Sequence, residues 1–317
     1  MLLGLLLLAV KSQDRAADID EVGYKTQELN ELQAETVFLG SSRTYRHVDV
    51  TRFDSLRGGG NSYNFGMRGG TALEVHYQAE RMLELPHVRW LVLELGTVRP
   101  LVRLENRDTR RTYYYHDLRR VKLASDVTLA FDMPLMRRLE IIRGRLKVAL
   151  DHYFLVGQGE ALITGRTVEP EPFSRFDRRG FSALDYAENA GRRSEAFRHP
   201  KGQEAFRRKL ERLRHRDAEP TAADSAMASI WIDLYRRAEA QDVEVYFAEQ
   251  VGEVGLDGLA RVLGDALPPG HLIILNDMER YPGLFDPDLW FDPGHLNERG
   301  AEQVTDILAA RLPPASS

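Results

Sequence analysis

Three short segments of this sequence carry residues whose types and spacing can do chemistry together. Gly40-Ser41-Ser42-Arg43 directly follows the apolar run Thr36-Val37-Phe38-Leu39. A serine at a strand-to-helix turn presents its hydroxyl at the carboxyl edge of a sheet, and its own N–H stands where an oxyanion would bind. The plainer role for such a serine is a helix cap. Asn64-Phe65-Gly66-Met67-Arg68-Gly69-Gly70-Thr71 precedes a helical pattern. Its glycines let the backbone come close to a ligand, with the Gly66 N–H as a second oxyanion donor. A phosphate-cradling or simply tight loop fits the same letters, but a dinucleotide fingerprint does not, because Asn64 stands at its first glycine. Phe291-Asp292-Pro293-Gly294-His295-Leu296-Asn297 lies before the last helical pattern. Asp292, three residues before His295 across a Pro-Gly turn, can hold the imidazole by its Nδ1–H and leave the other nitrogen as general base. The alternative is a capped turn with a surface histidine. Asn297 is placed to cap the final helix.

These segments need elements to position them. Near-continuous apolar runs at Thr36–Gly40, Trp90–Gly96, Val243–Ala248 and His271–Asn276 suit strands buried on both faces of a parallel sheet. A polar helix is expected over residues 14–34. Helical patterns also cover Thr71–Leu85, Ala226–Gln241 and Asn297–Leu312. Alternating strands and helices predict an open α/β sheet, with ligands beyond the carboxyl ends of its strands. From Leu101 to about Asp224 the strand pattern stops, and the stretch reads as a helical insertion over the sheet. It is basic: ten Lys/Arg against three Glu from Arg192 to Arg216, and seven against three acids from Leu101 to Lys122. Solvated helix faces explain such runs; a surface for an anionic glycan, lipid headgroup or teichoic-type polymer is the sharper reading.

In the order Ser, Asn-x-Gly, Asp-x-x-His, the three segments resemble the blocks of the SGNH/GDSL hydrolase superfamily. Ser42 stands at the nucleophile position, with Ser41 where the family has Asp. The resemblance implies Asp292 and His295 as triad partners. It also implies a three-layer, flavodoxin-like parallel sheet flanked by helices. It covers the front and the end of the chain and leaves the insertion uncovered. One block departs: Val98 stands where the family's Asn donates to the oxyanion, and valine cannot donate. Thr97, Asn64 and Arg43 are the candidate substitutes. Arg43 also reads as a carboxylate or phosphate clamp, or as half of a structural salt bridge. With Arg68 and His47 it completes the candidate substrate-binding residues, His47 being equally suited to packing. Members with a Gly-Ser-Ser block handle acyl groups on envelope polymers. The resemblance therefore implies a serine esterase or O-acyltransferase acting on an acyl ester and working with a membrane-bound acyltransferase. The alternative is a catalytically degenerate scaffold of the same fold that binds glycan.

Composition bounds the rest. The 317 residues are 43% hydrophobic and 29% charged, ordinary for a globular chain. A net charge of -5 argues against a nucleic-acid binder. With no cysteine there is no thiol nucleophile or disulfide. No histidine or acid spacing predicts a metal, and no cofactor is expected. His116, in the aromatic run Tyr113–Asp117, reads as packing or a sugar-stacking face. Leu2–Val10 is apolar but shorter than the roughly 20 residues that span a bilayer. It reads as the end of a membrane anchor or as a docked greasy helix. Residues 1–12 are thus set apart from a single domain over 13–317, and an extracytoplasmic, membrane-associated location is expected over a cytoplasmic one.

Overall fold

The computed structural model describes residues 20–97, 115, 117–153, 179–186, 190–214 and 219–313. Leu2–Val10, Val98 and His116 lie outside the described residues. The chain enters through α1 (Asp20–Leu32), then β1 (Thr36–Gly40), α2 (Ser42–His47), α3 (Val50–Leu56), β2 (Ser62–Gly66), α4 (Ala72–Met82) and β3 (Trp90–Glu94). Among the described residues, the α-helices α5 (Leu118–Ala130), α6 (Leu135–Tyr153), α7 (Ala190–Arg198) and α8 (Pro200–Arg214) come next. The last part runs α9 (Ala222–Glu239), β4 (Glu244–Glu249), α10 (Asp257–Ala266) and β5 (Leu272–Ile274). It closes with β6 (Trp290–Asp292), β7 (His295–Leu296) and α11 (Glu298–Arg311).

Five strands make one parallel sheet in the order β2-β1-β3-β4-β5. The order reverses between β1 and β3, so the crevice at their carboxyl ends is where a ligand is expected. β1 to β4 are buried on both faces, β5 buries only Ile273 fully, and alternate residues feed two cores. Val37, Leu39, Leu91, Leu93, Val245 and Phe247 pack under α1, α4, α5, α9 and α10. Phe38, Val92, Tyr246, Ala248 and Ile273 pack under α3, α7, α8 and α11. The architecture is three-layer α/β.

Local sequence explains the helix starts. Thr71 with Glu74, and Thr221 with Asp224, form reciprocal capping boxes at α4 and α9. Asn297 accepts from the Gly300 N–H at 3.0 Å and caps α11.

Two expectations change. β2 was not foreseen: Asn64-Phe65-Gly66 ends a strand rather than opening a loop, with Gly66 in register with Gly40. Its mixed Ser-Tyr-Asn-Phe-Gly letters lack the apolar run of the central strands because it lies at the sheet edge. The open side is covered by residues 179–182, where Asn64 N–H donates to Arg179 O and Ser182 N–H to Tyr45 O, both at 2.9 Å. Gly180 has φ +86, and a β-carbon there would overlap Asn64 O. Nor do the described helices of the 101–224 stretch simply overlie the sheet. Ala124 and Val127 of α5 share a core with Leu91 and Leu93, while Phe197 and Phe206 of α7 and α8 complete the other. They are parts of the two layers.

Candidate active site

The serine turn is built around a buried carboxylate. β1 ends at Gly40, a position that must be glycine because a β-carbon there would overlap Thr44 Oγ1 and Glu94 Oε2. Ser41 caps α2 by accepting from the Arg43 N–H at 3.2 Å. It also donates its hydroxyl to Glu94 Oε1 at 2.6 Å and its N–H to Glu94 Oε2 at 2.7 Å. Thr44 Oγ1 donates to the same Oε2 at 2.7 Å. Glu94 is 4% exposed and closes β3, so the sheet itself fixes the turn. Ser41 therefore does the capping, and Ser42 is left half-buried at the start of α2 with its hydroxyl free to face across the crevice. Its N–H lies in the first helical turn, where no intrahelical acceptor exists.

What Ser42 faces is His295. Ser42 Oγ lies 2.9 Å from His295 Nε2, and His295 Nδ1 lies 3.0 Å from Asp292 Oδ1. With Nδ1–H held by the carboxylate, the Nε2 lone pair is the acceptor for the serine hydroxyl. Asp292 and His295 face each other across the β6–β7 hairpin. Asp292 Oδ1 also accepts from the Gly294 N–H at 2.7 Å. Burial pushes the Asp292 carboxyl up. The His295 hydrogen bond and charge, the Gly294 N–H and the Arg193 guanidinium outweigh it and leave the group well below the usual carboxylate range.

The hairpin is held from outside by cations of α7 and α8. Arg193 donates to Asp292 Oδ2 and lies over Phe291. Lys209 donates to Pro293 O, between Asp292 and His295, and sits 4.9 Å over the Trp290 ring. Burial, then the nearby Arg43 charge, brings Lys209 down to about 8. Neither residue was expected here: spacing alone cannot tell a buried lysine in a basic helix from its solvated neighbours. Glu94 was likewise missed, although a carboxylate ending a buried strand was visible.

Several expected roles need correction. The Gly66 N–H is taken up by Asn64 Oδ1 at 3.0 Å, so it is not an oxyanion donor. Asn64 is fully buried, and its amide donates to Thr44 O and Val48 O at 2.9 and 2.7 Å. It braces α2 against β2 and cannot reach substrate. The backbone beside the serine turn is instead Met67–Gly70: a β-carbon on Gly70 would lie 2.9 Å from Gly40 O and 3.4 Å from Ser41 Cα. Thr97 is half-buried just past β3. His47 is wholly buried and accepts from the Leu296 N–H at 3.0 Å. Burial above all, then the His295 and Arg43 charges, pushes it well below the usual imidazole value. His47 is thus a neutral strut that positions the residue after His295, not a substrate contact. Arg43 pairs with Glu253 and lies 3.9 Å from Glu94, the salt-bridge alternative. Arg68 is exposed, and its N–H donates to Glu21 at 3.2 Å.

An open depression of about 680 Å³ is lined by Ala205, Arg208, Glu211 and Arg212 on α8, the helix that sends Lys209 to the hairpin. Among the described residues no three metal-ligating side chains converge, and no helix is long and apolar enough to cross a membrane. No protein-family model, curated protein or solved structure matches the chain.

Proposed function

We propose that this chain is an SGNH-type serine esterase or O-acyltransferase. The observation that carries the reading is the unbroken relay from Ser42 Oγ through His295 to Asp292, assembled at the sheet's switch point from residues 253 positions apart. In the reaction, Ser42 Oγ attacks an ester carbonyl while His295 Nε2 takes its proton. Asp292 keeps the imidazole in the required tautomer and stabilises the imidazolium. The Ser42 N–H faces the oxyanion, where a single donor is typically worth about 10²–10³ in rate. His295 then protonates the leaving alkoxide, and water or a sugar hydroxyl takes the acyl group from Ser42 Oγ. The acyl donor or acceptor is proposed as an anionic glycan or lipid on the ground of the basic run from Arg192 to Arg216. Partnership with a membrane-bound acyltransferase follows from the family resemblance.

A fluorophosphonate probe tests the reading. The wild-type protein is expected to be labelled at Ser42, and Ser42→Ala to stay unlabelled. Wild type that resists the probe at every pH would overturn it in favour of a silent scaffold, and label retained in Ser42→Ala would overturn Ser42 as the nucleophile.

A further inference from the structure

Beside the relay, two buried polar atoms need each other. His47 is fully buried and closes the short helix α2 that Ser42 opens. Its Nε2 accepts from the Leu296 N–H at 3.0 Å. A ring nitrogen that accepts carries no proton, so neutral His47 holds its one proton on Nδ1. Gln250 is 2% exposed, and its Oε1 is an acceptor cut off from water. Among the described residues neither His47 Nδ1 nor Gln250 Oε1 has another partner at full bonding geometry. Gln250 is the side chain that faces His47 for a hydrogen bond. One stranded donor and one stranded acceptor satisfy each other.

The glutamine end is fixed by the turn after β4. Gln250 follows Glu249 directly, and its carbonyl accepts from the Glu253 N–H at 3.3 Å. Asn276 pins the same turn, accepting from the Gly252 N–H at 2.8 Å and donating to Glu253 O at 2.5 Å. The choice of residue is also informative. An amide oxygen accepts from Nδ1–H and adds no charge. A carboxylate would accept too, but it would draw a second proton onto the ring. Nε2 would then be a donor and meet the Leu296 N–H head on. The protonated ring would also stand close to His295, with ring centroids 6.2 Å apart, and to the Arg43 and Lys209 charges. His295 must itself become a cation when it takes the Ser42 proton.

We infer that Gln250 is a positioning residue for the relay: its Oε1 accepts from His47 Nδ1–H, which fixes the His47 tautomer and keeps Nε2 open to the Leu296 N–H beside His295. The contacts run from the carboxyl end of β4 through α2 to the β6–β7 hairpin. The part this plays in catalysis rests on the esterase reading; the position of the His47 proton does not.

That proton can be read directly. In full-length protein carrying nitrogen-15 histidine, two-bond nitrogen–proton spectra report which ring nitrogens are protonated, and His47→Gln identifies the His47 signals. Wild-type His47 is expected to be neutral, with its proton on Nδ1, from about pH 6 to pH 8. Gln250→Met is similar in length but offers no amide oxygen. It is expected to move part of the His47 population to the Nε2–H form and to slow fluorophosphonate labelling of Ser42 about 10-fold. Gln250→Glu is expected to keep a second proton on the ring to higher pH, with labelling depressed at low pH and recovering as the ring deprotonates. Lost stability alone would slow both variants at every pH and leave the proton positions unchanged. A wild-type ring protonated on Nε2 overturns the inference, and so do proton positions unaltered in Gln250→Met; neither result depends on Gln250→Glu folding. A wild type that shows the Nδ1–H form and takes no label overturns the esterase reading alone.

Discussion

The two halves of the proposed relay are positioned by opposite chemistry. The serine turn is organised by an anion: Glu94, at the end of β3, accepts from Ser41 twice and from Thr44 once, all inside the sheet. The Asp292–His295 hairpin is organised by cations: Arg193 on Asp292 and Lys209 on Pro293 O reach in from α7 and α8. Neutral His47 is the link between them, standing on the serine helix α2 and accepting from the Leu296 N–H of the hairpin. A serine turn tied to the core should be lost only with the fold. A hairpin gripped in part through the half-exposed Arg193 should be adjustable at that contact without unfolding anything. The basic stretch from Arg192 to Arg216 thus divides its labour: Arg193 and Lys209 face the hairpin, while Arg208 and Arg212 face the depression.

Glu94→Gln is expected to give the largest effect on stability. An amide in place of one oxygen meets a site furnished only with donors, leaving at least one buried donor unsatisfied and losing the charge near Arg43. Urea denaturation should show a loss of about 2 kcal/mol, with probe labelling falling in parallel as the turn loosens. Arg193→Gln should do the reverse. The guanidinium is 41% exposed, so stability should change by less than about 0.5 kcal/mol. The labelling rate should still fall about 10-fold, because Asp292 loses a charged partner that holds its carboxylate. Arg193→Lys, which keeps a cation beside Asp292, should restore part of the rate. Glu94→Gln that slows labelling with full stability, or Arg193→Gln that unfolds the protein, would erase the contrast between the halves.

How much of this was legible in the sequence follows the same division. β1, β3 and β4 announce themselves as apolar runs, and Ser42, Asp292 and His295 stand in local patterns whose geometry is set within a few residues. The Asn64 and Gly66 expectation failed for a physical reason. The letters Asn-x-Gly describe backbone able to approach a ligand, but they do not say that β2 would pair with β1 and turn the Asn64 side chain inward. Once Asn64 is buried, its amide must find partners, and the nearest are Thr44 O, Val48 O and the Gly66 N–H. Glu94, Arg193 and Lys209 act over sequence separations of 53, 99 and 84 residues. No local pattern encodes such contacts; only the folded sheet and its two layers bring them together.

Lys209 supplies the smallest and most specific test, because its charge can be removed by pH as well as by mutation. Its value in the folded protein, about 8, lies below the ordinary 10.5, so between these values the unfolded chain binds a proton that the native state has released. Stability must therefore rise with pH across that window. Buried Lys25, which donates to Gly66 O at 2.6 Å and is also brought down to about 8 by burial, adds a slope of the same sign. Above pH 10 the trend should turn, because burial and the Glu28 carboxylate raise Tyr24 and Tyr63, and the unfolded chain then gives up those protons first. Lys209→Met removes one buried cation and keeps an apolar side chain against Trp290. It should remove about half of the rise in urea midpoint between pH 8 and pH 10 while leaving the Lys25 share. It should also free Pro293 O and lower the labelling rate less than Arg193→Gln does, since Asp292 keeps its guanidinium. An unchanged slope in Lys209→Met would mean that the lysine is solvated, and that the hairpin is held by Arg193 alone.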